Sequence, residues 1–273
     1  MTRLSDQDIE TIAQTIATGL SGPLAARAPA EPASLSPASR LGIFATVDEA
    51  ARAARAAQPV FAALPLTTRA AIIAAIRETM RASGDALAKS AHEETGLGRY
   101  EDKIVKNRLV TERTPGIEDL APSAVTGDHG LTLVEPAPFG VIGAITPSTN
   151  PTSTIICNAI GMVSAGNAVI FNPHPAAKRT SARTVELINE AIISAGGPAN
   201  LVCCLREPTI ESAQALMRHP KIWMVVVTGG PAVVQEAMKS GKKVIAAGPG
   251  NPPVVVDETA DLTVAGKGIV LGS

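Results

Sequence analysis

Residues 139–151 read FGVIGAITPSTNP and carry the clearest fold signal in this chain of 273 residues. The apolar run from Val141 to Ile145 has the length of a buried strand, and a helix is predicted to begin after Asn150. Continuous apolar runs that alternate with helices predict a doubly wound α/β fold, a mostly parallel sheet with helices on both faces. The other runs of strand length lie at 131–135, 167–171, 200–205, 222–227, 243–247 and 253–256.

The first forty residues have a different pattern. Ser5 and Asp8 form a capping box at the start of a predicted amphipathic helix over 5–20. Residues 21–40 are rich in Ala and Pro, a composition typical of a semi-extended linker. We therefore expect a detached helix within residues 1–20, a linker over 21–40 and a globular body over 41–273. The apolar positions of the helix recur at helical spacing: Ile9, Ile12, Ile16 and Leu20.

Three helices are predicted in the body before the first long strand. Thr46 and Glu49 form a capping box ahead of a helix that is expected to end at Leu64. A longer helix is predicted from Thr67 or Thr68 to Ala88. The third, over 99–113, is polar and ends before a proline.

The composition excludes several classes of partner. With 24 Lys and Arg against 25 Asp and Glu, the chain has no basic character that would favour nucleic acid. No apolar run approaches the ~20 residues of a membrane span, and the polar N-terminus does not resemble a secretory signal. These features predict a soluble cytoplasmic protein with no membrane association.

The three cysteines form neither a disulfide framework nor, with the four histidines, a metal-ligand spacing. The sequence therefore predicts no metal site. We expect Cys157, Cys203 and Cys204 to be buried as small apolar side chains.

Residues that follow the strands are the candidates for function, because ligands of doubly wound sheets bind at the carboxyl ends of the strands. Asn150 either caps its helix or donates its amide to a developing oxyanion. His174, between two prolines, either contacts a ribose or phosphate or is structural. The glycines of 228–230 either admit a phosphate to a helix N-terminus or form a tight turn, and the loop 247–253 has the same two interpretations.

In their order along the chain, these loops resemble those of the aldehyde dehydrogenase superfamily. The residues within the loops resemble its CoA-acylating branch, as found in the propionaldehyde dehydrogenases of bacterial microcompartments. The resemblance runs from about residue 41 to the end and is densest at 135–151, 172–175, 228–230 and 248–251. It implies oxidation of a short-chain aldehyde, with NAD as cofactor and coenzyme A as acyl acceptor. It leaves open which aldehyde is used and whether NADP replaces NAD.

The resemblance also implies roles for individual residues. Asn150 would be the side-chain donor of the oxyanion hole, Thr146 and Pro147 would line the nicotinamide end, and Gly248 would lie beside the nicotinamide. The adenosine and pyrophosphate parts of NAD would be bordered by Phe171, Asn172, Pro173, His174, Pro208, Thr209, Thr228, Gly229 and Gly230.

Three departures from the hydrolytic members accompany the resemblance. Ala247 occupies the position of their general-base Glu, and Asn172 and Pro175 occupy those of their ribose-binding Lys and Glu. Loss of the base disfavours attack by water and is consistent with a thiol acceptor, which needs less activation. The nucleophilic cysteine of the family would lie beyond Ser273, so we expect an N-terminal portion of a longer enzyme, without its catalytic domain and inactive by itself.

The N-terminal helix resembles the encapsulation peptides of microcompartment enzymes. This implies docking onto shell or core proteins, location in the microcompartment lumen and, for the complete enzyme, a homo-oligomer; a helix that folds back on its own body is the alternative. Two other functions remain open from the sequence. One is a non-catalytic nucleotide-binding or assembly fragment, and the other is a related reductase that acts on an acyl phosphate.

Overall fold

A computed structural model of the chain describes Gln7, residues 41–248 and residues 253–272. The predicted helix over 5–20 and the linker over 21–40 lie outside these residues, apart from Gln7, which is helical. The chain divides into two compact units, Met1–Leu35 and Ser36–Ser273, and the fold described below belongs to the second.

The centre of the second unit is a six-stranded parallel sheet, which confirms the predicted doubly wound α/β class. Its strand order is β1-β6-β5-β4-β7-β8, and every neighbouring pair is parallel. A separate antiparallel sheet consists of β2 and β3. The strands are β1 (Ile43–Phe44), β2 (Ser123–Gly127), β3 (Gly130–Val134), β4 (Val141–Thr146), β5 (Ala168–Pro173), β6 (Val202–Leu205), β7 (Met224–Thr228) and β8 (Lys243–Ala247).

Helices cover both faces of the main sheet. On one face α1, α6 and α7 pack, on the other α4 and α5, and α2 and α3 form an outer layer over α4 and α5. None of the helices within the described ranges has both the length and the apolar character of a membrane span. The helices are α1 (Val47–Ala62), α2 (Leu66–Thr95), α3 (Tyr100–Arg113), α4 (Pro151–Ser164), α5 (Lys178–Ser194), α6 (Ile210–Arg218), α7 (Pro231–Met238) and α8 (Leu262–Gly272).

The apolar runs of β4, β5 and β6 form continuous apolar strands because both of their faces are covered. Every residue of β4, β5 and β6 is buried. Alternating polar residues would have placed charges in one of the two helix-covered layers, at a cost of several kcal/mol each. At Gly143 in β4 an added Cβ would lie 3.2 Å from Leu216 of α6, so glycine lets this helix approach the sheet closely.

Two predicted sheet strands are wrong. The run 131–135 falls in β3, which pairs antiparallel with β2 in an exposed hairpin, because the two-residue turn between Gly127 and Gly130 lets the strands satisfy each other locally. The run 253–256 forms no strand within the described residues, and Val254 and Val255 are exposed. Conversely, the two-residue strand β1 carries too short an apolar run to be recognised in the sequence.

The predicted helices are confirmed with shifted ends. The Thr46–Glu49 capping box forms, and α1 stops at Ala62 rather than Leu64. The second helix continues past Ala88 to Thr95 and ends at Gly96, whose φ of 65° is left-handed, as is typical after a helix C-terminus.

Candidate functional site

A cleft of about 790 Å³ opens at the carboxyl ends of β4, β5, β7 and β8. From β4 the chain proceeds to β5 and β6 on one side, and later returns to place β7 and β8 on the other. This reversal beside β4 is the topological switch point, where the connections leave the sheet in opposite directions and open a crevice. The fold therefore produces a ligand-sized cleft at this point.

All but two of the residues proposed from the sequence line this cleft. Phe171 and Pro208 are buried and do not line it; Phe171 lies in β5, paired in register with Ala144 and Cys204. The cleft brings together Thr146, Pro147, Asn150, Asn172, Pro173, His174, Thr209, Thr228, Gly229, Gly230 and Gly248.

Asn150 precedes α4 but does not cap it. Its backbone has φ −135° and ψ 58°, and its side chain makes no capping hydrogen bond. Instead the side-chain Oδ1 accepts a hydrogen bond from Lys106 Nζ at 3.2 Å. Half-buried at the cleft wall, the amide keeps its Nδ2 hydrogens for a ligand. The capping role that the sequence also allowed is therefore absent.

The glycines beside α7 leave open space in the cleft. An added Cβ at Gly230 or Gly248 would meet no atom within 4 Å, and at Gly229 only Val233, at 3.9 Å. Gly230 has φ −70° and ψ 166°, which any residue adopts, so neither backbone strain nor packing requires glycine there. Because no side chain caps α7, its N-terminus faces this space as a potential anion site.

Asn172 and His174 at the end of β5 have different surroundings. Asn172 is only 3% exposed, and its Oδ1 accepts from Ser212 Oγ at 2.5 Å, so its oxygen is used to hold the start of α6. His174 is exposed, and its Nδ1 accepts from Ala176 N at 3.1 Å. This contact leaves Nε2 of His174 as the ring nitrogen available at the cleft.

The cleft has unsatisfied polar character that suits a nucleotide. The hydroxyl of Thr146 is buried at the cleft wall without a hydrogen-bond partner among the described residues. A buried polar atom of this kind is normally paired, so a ligand atom would satisfy it. Together with the open α7 N-terminus, this indicates that the residues present fit a dinucleotide phosphate and its attached ring.

The cleft is poor in acid and base groups. Of the described residues that line it, the titratable ones are His174 and Glu236, and Glu236 forms an ion pair with Arg218. Ala247 lies in the lining where the resemblance placed a general base in hydrolytic members. The described part of the cleft therefore offers no free carboxylate to activate water.

None of the three cysteines lines the cleft. Cys203 and Cys204 are fully buried in β6, and burial raises the pKa of both thiols far above the ordinary value. Cys157 is half-buried, not buried as predicted, because one side of α4 borders a second cavity of about 330 Å³ there. The chain's own cysteines therefore supply no nucleophilic thiolate to this cleft.

Four polar residues near the strand ends were not singled out in the sequence. Lys103, Lys106 and Asn107 of α3 contact residues 149–152, and Glu94 of α2 contacts the start of α5. The spacing 103, 106 and 107 marks one face of a helix, which is the signal that was available. The sequence does not show what that face contacts.

Comparison with known proteins agrees with this fold. Residues 32–273 match the family model described as aldehyde dehydrogenase family, so the chain belongs to this family. Over 233 residues it is 53% identical to an acetylating acetaldehyde dehydrogenase of Bilophila wadsworthia, covering 85% of this chain and 48% of that protein.

Two solved structures are similarly close. The propionaldehyde dehydrogenase of Rhodopseudomonas palustris with bound CoA and an acylated cysteine is 51% identical, with a TM-score of 0.82 over 85% of this chain and 53% of that one. A propionaldehyde dehydrogenase from the fucose utilisation bacterial microcompartment of Clostridium phytofermentans is 52% identical, with the same TM-score and coverage. The chain thus spans about half the length of each of these three relatives.

Proposed function

We propose that this chain supplies the cofactor cleft and the oxyanion donor for the CoA-dependent oxidation of a short-chain aldehyde, such as propionaldehyde, to acyl-CoA. The observation that carries the proposal is the side-chain amide of Asn150, which lines the switch-point cleft and makes no capping hydrogen bond to α4. Similarity to acetylating and propionaldehyde-oxidising enzymes supports the substrate class. In that enzyme this chain would correspond to the half of the relatives that it matches.

NAD would accept the hydride that leaves the aldehyde carbon. The chain's own part is to bind and orient this cofactor. The N-terminus of α7 would face its pyrophosphate, with Gly229 and Gly230 letting the phosphates approach the backbone. Thr146 and Gly248 would lie at the nicotinamide end, and His174 and Thr209 at the adenosine end; all four line the cleft.

Asn150 would act on the substrate oxygen. When a thiolate adds to the aldehyde, the carbonyl oxygen gains negative charge, and an oriented N–H stabilises that charge in the transition state. The same donor would serve again when the thiol of coenzyme A attacks the resulting thioester. A side-chain amide donates without titrating, so it functions in both steps without exchanging a proton.

The absence of a free carboxylate among the described lining residues supports coenzyme A over water as the acyl acceptor. Water at neutral pH needs a general base to attack a thioester at a useful rate, whereas a thiol is partly ionised and intrinsically more nucleophilic. Ala247 therefore favours acyl transfer to a thiol.

The test is Asn150→Ala in the complete enzyme. We expect kcat to fall by about 10²–10³, with NAD binding nearly unchanged, because an oxyanion donor acts mainly in the transition state. Steady-state kinetics and cofactor titration separate the two quantities. A loss confined to NAD affinity would contradict the assignment and make Asn150 a cofactor-binding residue.

The same assay on the 273-residue chain by itself addresses the alternative of a nucleotide-binding fragment. Since none of its cysteines lines the cleft, we expect it to bind NADH but to form none from propionaldehyde, NAD and coenzyme A. Activity that disappeared on changing Cys157 would show that the chain carries its own nucleophile.

We also propose that residues 1–20 dock the complete enzyme onto a microcompartment shell or core protein, which would place it in the lumen. The support is the helical apolar spacing, the Ala- and Pro-rich segment after it and a relative from a microcompartment. Deleting residues 1–20 should abolish co-purification with shells and leave kcat unchanged. Ile12→Lys should have the same effect and Gln14→Lys should not; retention of the truncated enzyme in shells would refute docking.

A further inference from the structure

Helix α3 supports the start of α4 from behind, through residues that the proposed chemistry does not use. Positions 103, 106 and 107 lie on one face of α3, which points at the connection between β4 and α4. The hydrogen bonds are Lys103 Nζ to Thr149 O at 3.0 Å, Lys106 Nζ to Asn150 Oδ1 at 3.2 Å, and Thr152 Oγ1 to Asn107 Oδ1 at 2.8 Å.

Two of these supports are cations without counter-ions. Neither Lys103 nor Lys106 forms an ion pair with a carboxylate of the described residues, whereas the exposed Lys89 on α2 is paired with Glu93. Lys103 is only 5% exposed, and burial, followed by the charge of Lys106, lowers the pKa of its ammonium. Burying the ammonium of Lys103 without a carboxylate partner costs free energy. A buried positive charge is useful where negative charge develops during a reaction, because it stabilises that charge.

The contact with Lys106 decides which way the Asn150 amide faces. The two ends of a carboxamide have nearly the same shape, so packing by itself distinguishes them poorly. An ammonium has only donors, so the atom in front of it must be the carbonyl oxygen. The Nδ2 group then donates to no atom of the described residues, in a side chain that lines the cleft.

We propose that Lys106 is a positioning residue for the oxyanion site: its ammonium holds Asn150 Oδ1 so that Nδ2 faces the reacting carbonyl oxygen. The inference rests on the role proposed above for Asn150. The positive charge also polarises the amide and makes its N–H hydrogens better donors, an effect that grows as the aldehyde oxygen becomes negative. Lys103 holds the preceding carbonyl, so that the backbone beneath the amide is fixed as well.

The test compares Lys106→Met, Lys106→Arg, Asn150→Ala and the double variant Asn150→Ala/Lys106→Met in the complete enzyme. For Lys106→Met we expect kcat to fall by about tenfold, while KM for aldehyde and NAD stays within about twofold. Arginine also donates to Oδ1 and should restore most of kcat. In the Asn150→Ala background, Lys106→Met should cause no further loss, because the amide it orients is gone.

Lys89→Met is the matched control, since it removes an exposed lysine from a neighbouring helix and should leave kcat unchanged. Lys106 is itself exposed, so its replacement should not alter the thermal midpoint. If Asn150→Ala lowers kcat and Lys106→Met does not, the positioning role is refuted while the proposed function stands. Additive losses in the double variant would also refute it, and an Asn150→Ala enzyme with full kcat would instead overturn the proposed function.

Discussion

The N-termini of α5 and α7 differ in how they treat the positive end of a helix. Both helices follow strands of the same parallel sheet, and both begin at its carboxyl edge. At α5 the carboxylate of Glu94 accepts hydrogen bonds from Arg179 N at 2.9 Å and Thr180 N at 2.7 Å. At α7 no side chain occupies the corresponding place, and Gly230 leaves it open.

The difference shows that two helix N-termini at one sheet edge can be satisfied in different ways. A helix N-terminus attracts an anion through its free N–H groups and its dipole, whichever molecule supplies that anion. At α5 the chain supplies a carboxylate that is 8% exposed, so this terminus is satisfied internally. At α7 the terminus remains available, and it is there that the proposed cofactor phosphates would bind.

The largest effect is expected from Gly230→Asp, which would close the open N-terminus of α7. A carboxylate at the N-cap of α7 would occupy the anion site and repel a pyrophosphate, so we expect NADH affinity to fall by roughly a hundredfold, equivalent to about 2.7 kcal/mol. The fold should be retained or slightly stabilised, because Asp is a favourable N-cap. Fluorescence titration with NADH measures affinity, and thermal denaturation measures the fold.

Gly127→Asp, in the exposed hairpin where an added Cβ also meets nothing within 4 Å, is the matched control for added charge. It should leave NADH affinity unchanged. Equal losses in both variants would mean that net charge, and not the α7 terminus, determines binding.

Opening the closed terminus with Glu94→Gln should destabilise the fold by about 1–2 kcal/mol at neutral pH, since one carboxylate holds two backbone amides. Burial opposes ionisation of Glu94, but hydrogen bonds from Thr180 and Arg179 outweigh it and lower the pKa of the carboxyl. The ionised form therefore stabilises the native state above the ordinary carboxyl pKa. This contribution is lost as the pH falls through the lowered value.

Urea denaturation from pH 7 down to about pH 3 would measure this dependence: the deficit of Glu94→Gln should be constant above the ordinary carboxyl pKa and narrow below it. Glu93→Gln, whose side chain is exposed and contacts Lys89 at 3.9 Å, serves as the control and should change stability by less than about 0.5 kcal/mol. A deficit for Glu94→Gln that did not depend on pH would indicate lost packing and not lost charge.

The smallest loss of stability is expected when an uncharged capping side chain is removed, and this case separates the effect of a cap from that of a charge. Thr46→Ala removes the hydroxyl that accepts from Glu49 N at 3.3 Å at the start of α1. We expect a loss of about 0.5–1 kcal/mol without the pH dependence that follows from Glu94 ionisation. The same urea series would measure it, and a loss larger than that of Glu94→Gln would contradict the ranking.

Much of the fold follows from local pattern. The apolar runs at 141–145, 167–171 and 200–205 correspond to buried strands, and the Thr46–Glu49 box starts a helix, because each signal lies within a few neighbouring residues. The run at 131–135 was assigned to the wrong sheet, since the sequence of an apolar strand does not determine which strand it pairs with. That choice depended on a turn at Gly127 and Gly130.

The candidate site divides in the same way. Its glycines, Asn150 and His174 follow strands, and the doubly wound topology brings strand ends together, so their convergence on one cleft was predictable. The sequence did not predict that the Asn150 side chain makes no capping hydrogen bond to α4. A residue before a helix forms a capping bond or does not according to what else its side chain meets, and here that partner is 44 residues away in the chain.

The sequence by itself determined the alternation of strands and helices, the parallel sheet and the residue types at the strand ends, because these depend on burial and on neighbours a few positions apart. Only the tertiary structure decided which helix terminus is closed and which is open, since Glu94 and Arg179 are 85 residues apart. The physical reason is that a side chain selects its partner by position in the packed layers. Sequence separation carries no information about that position once two helices lie side by side.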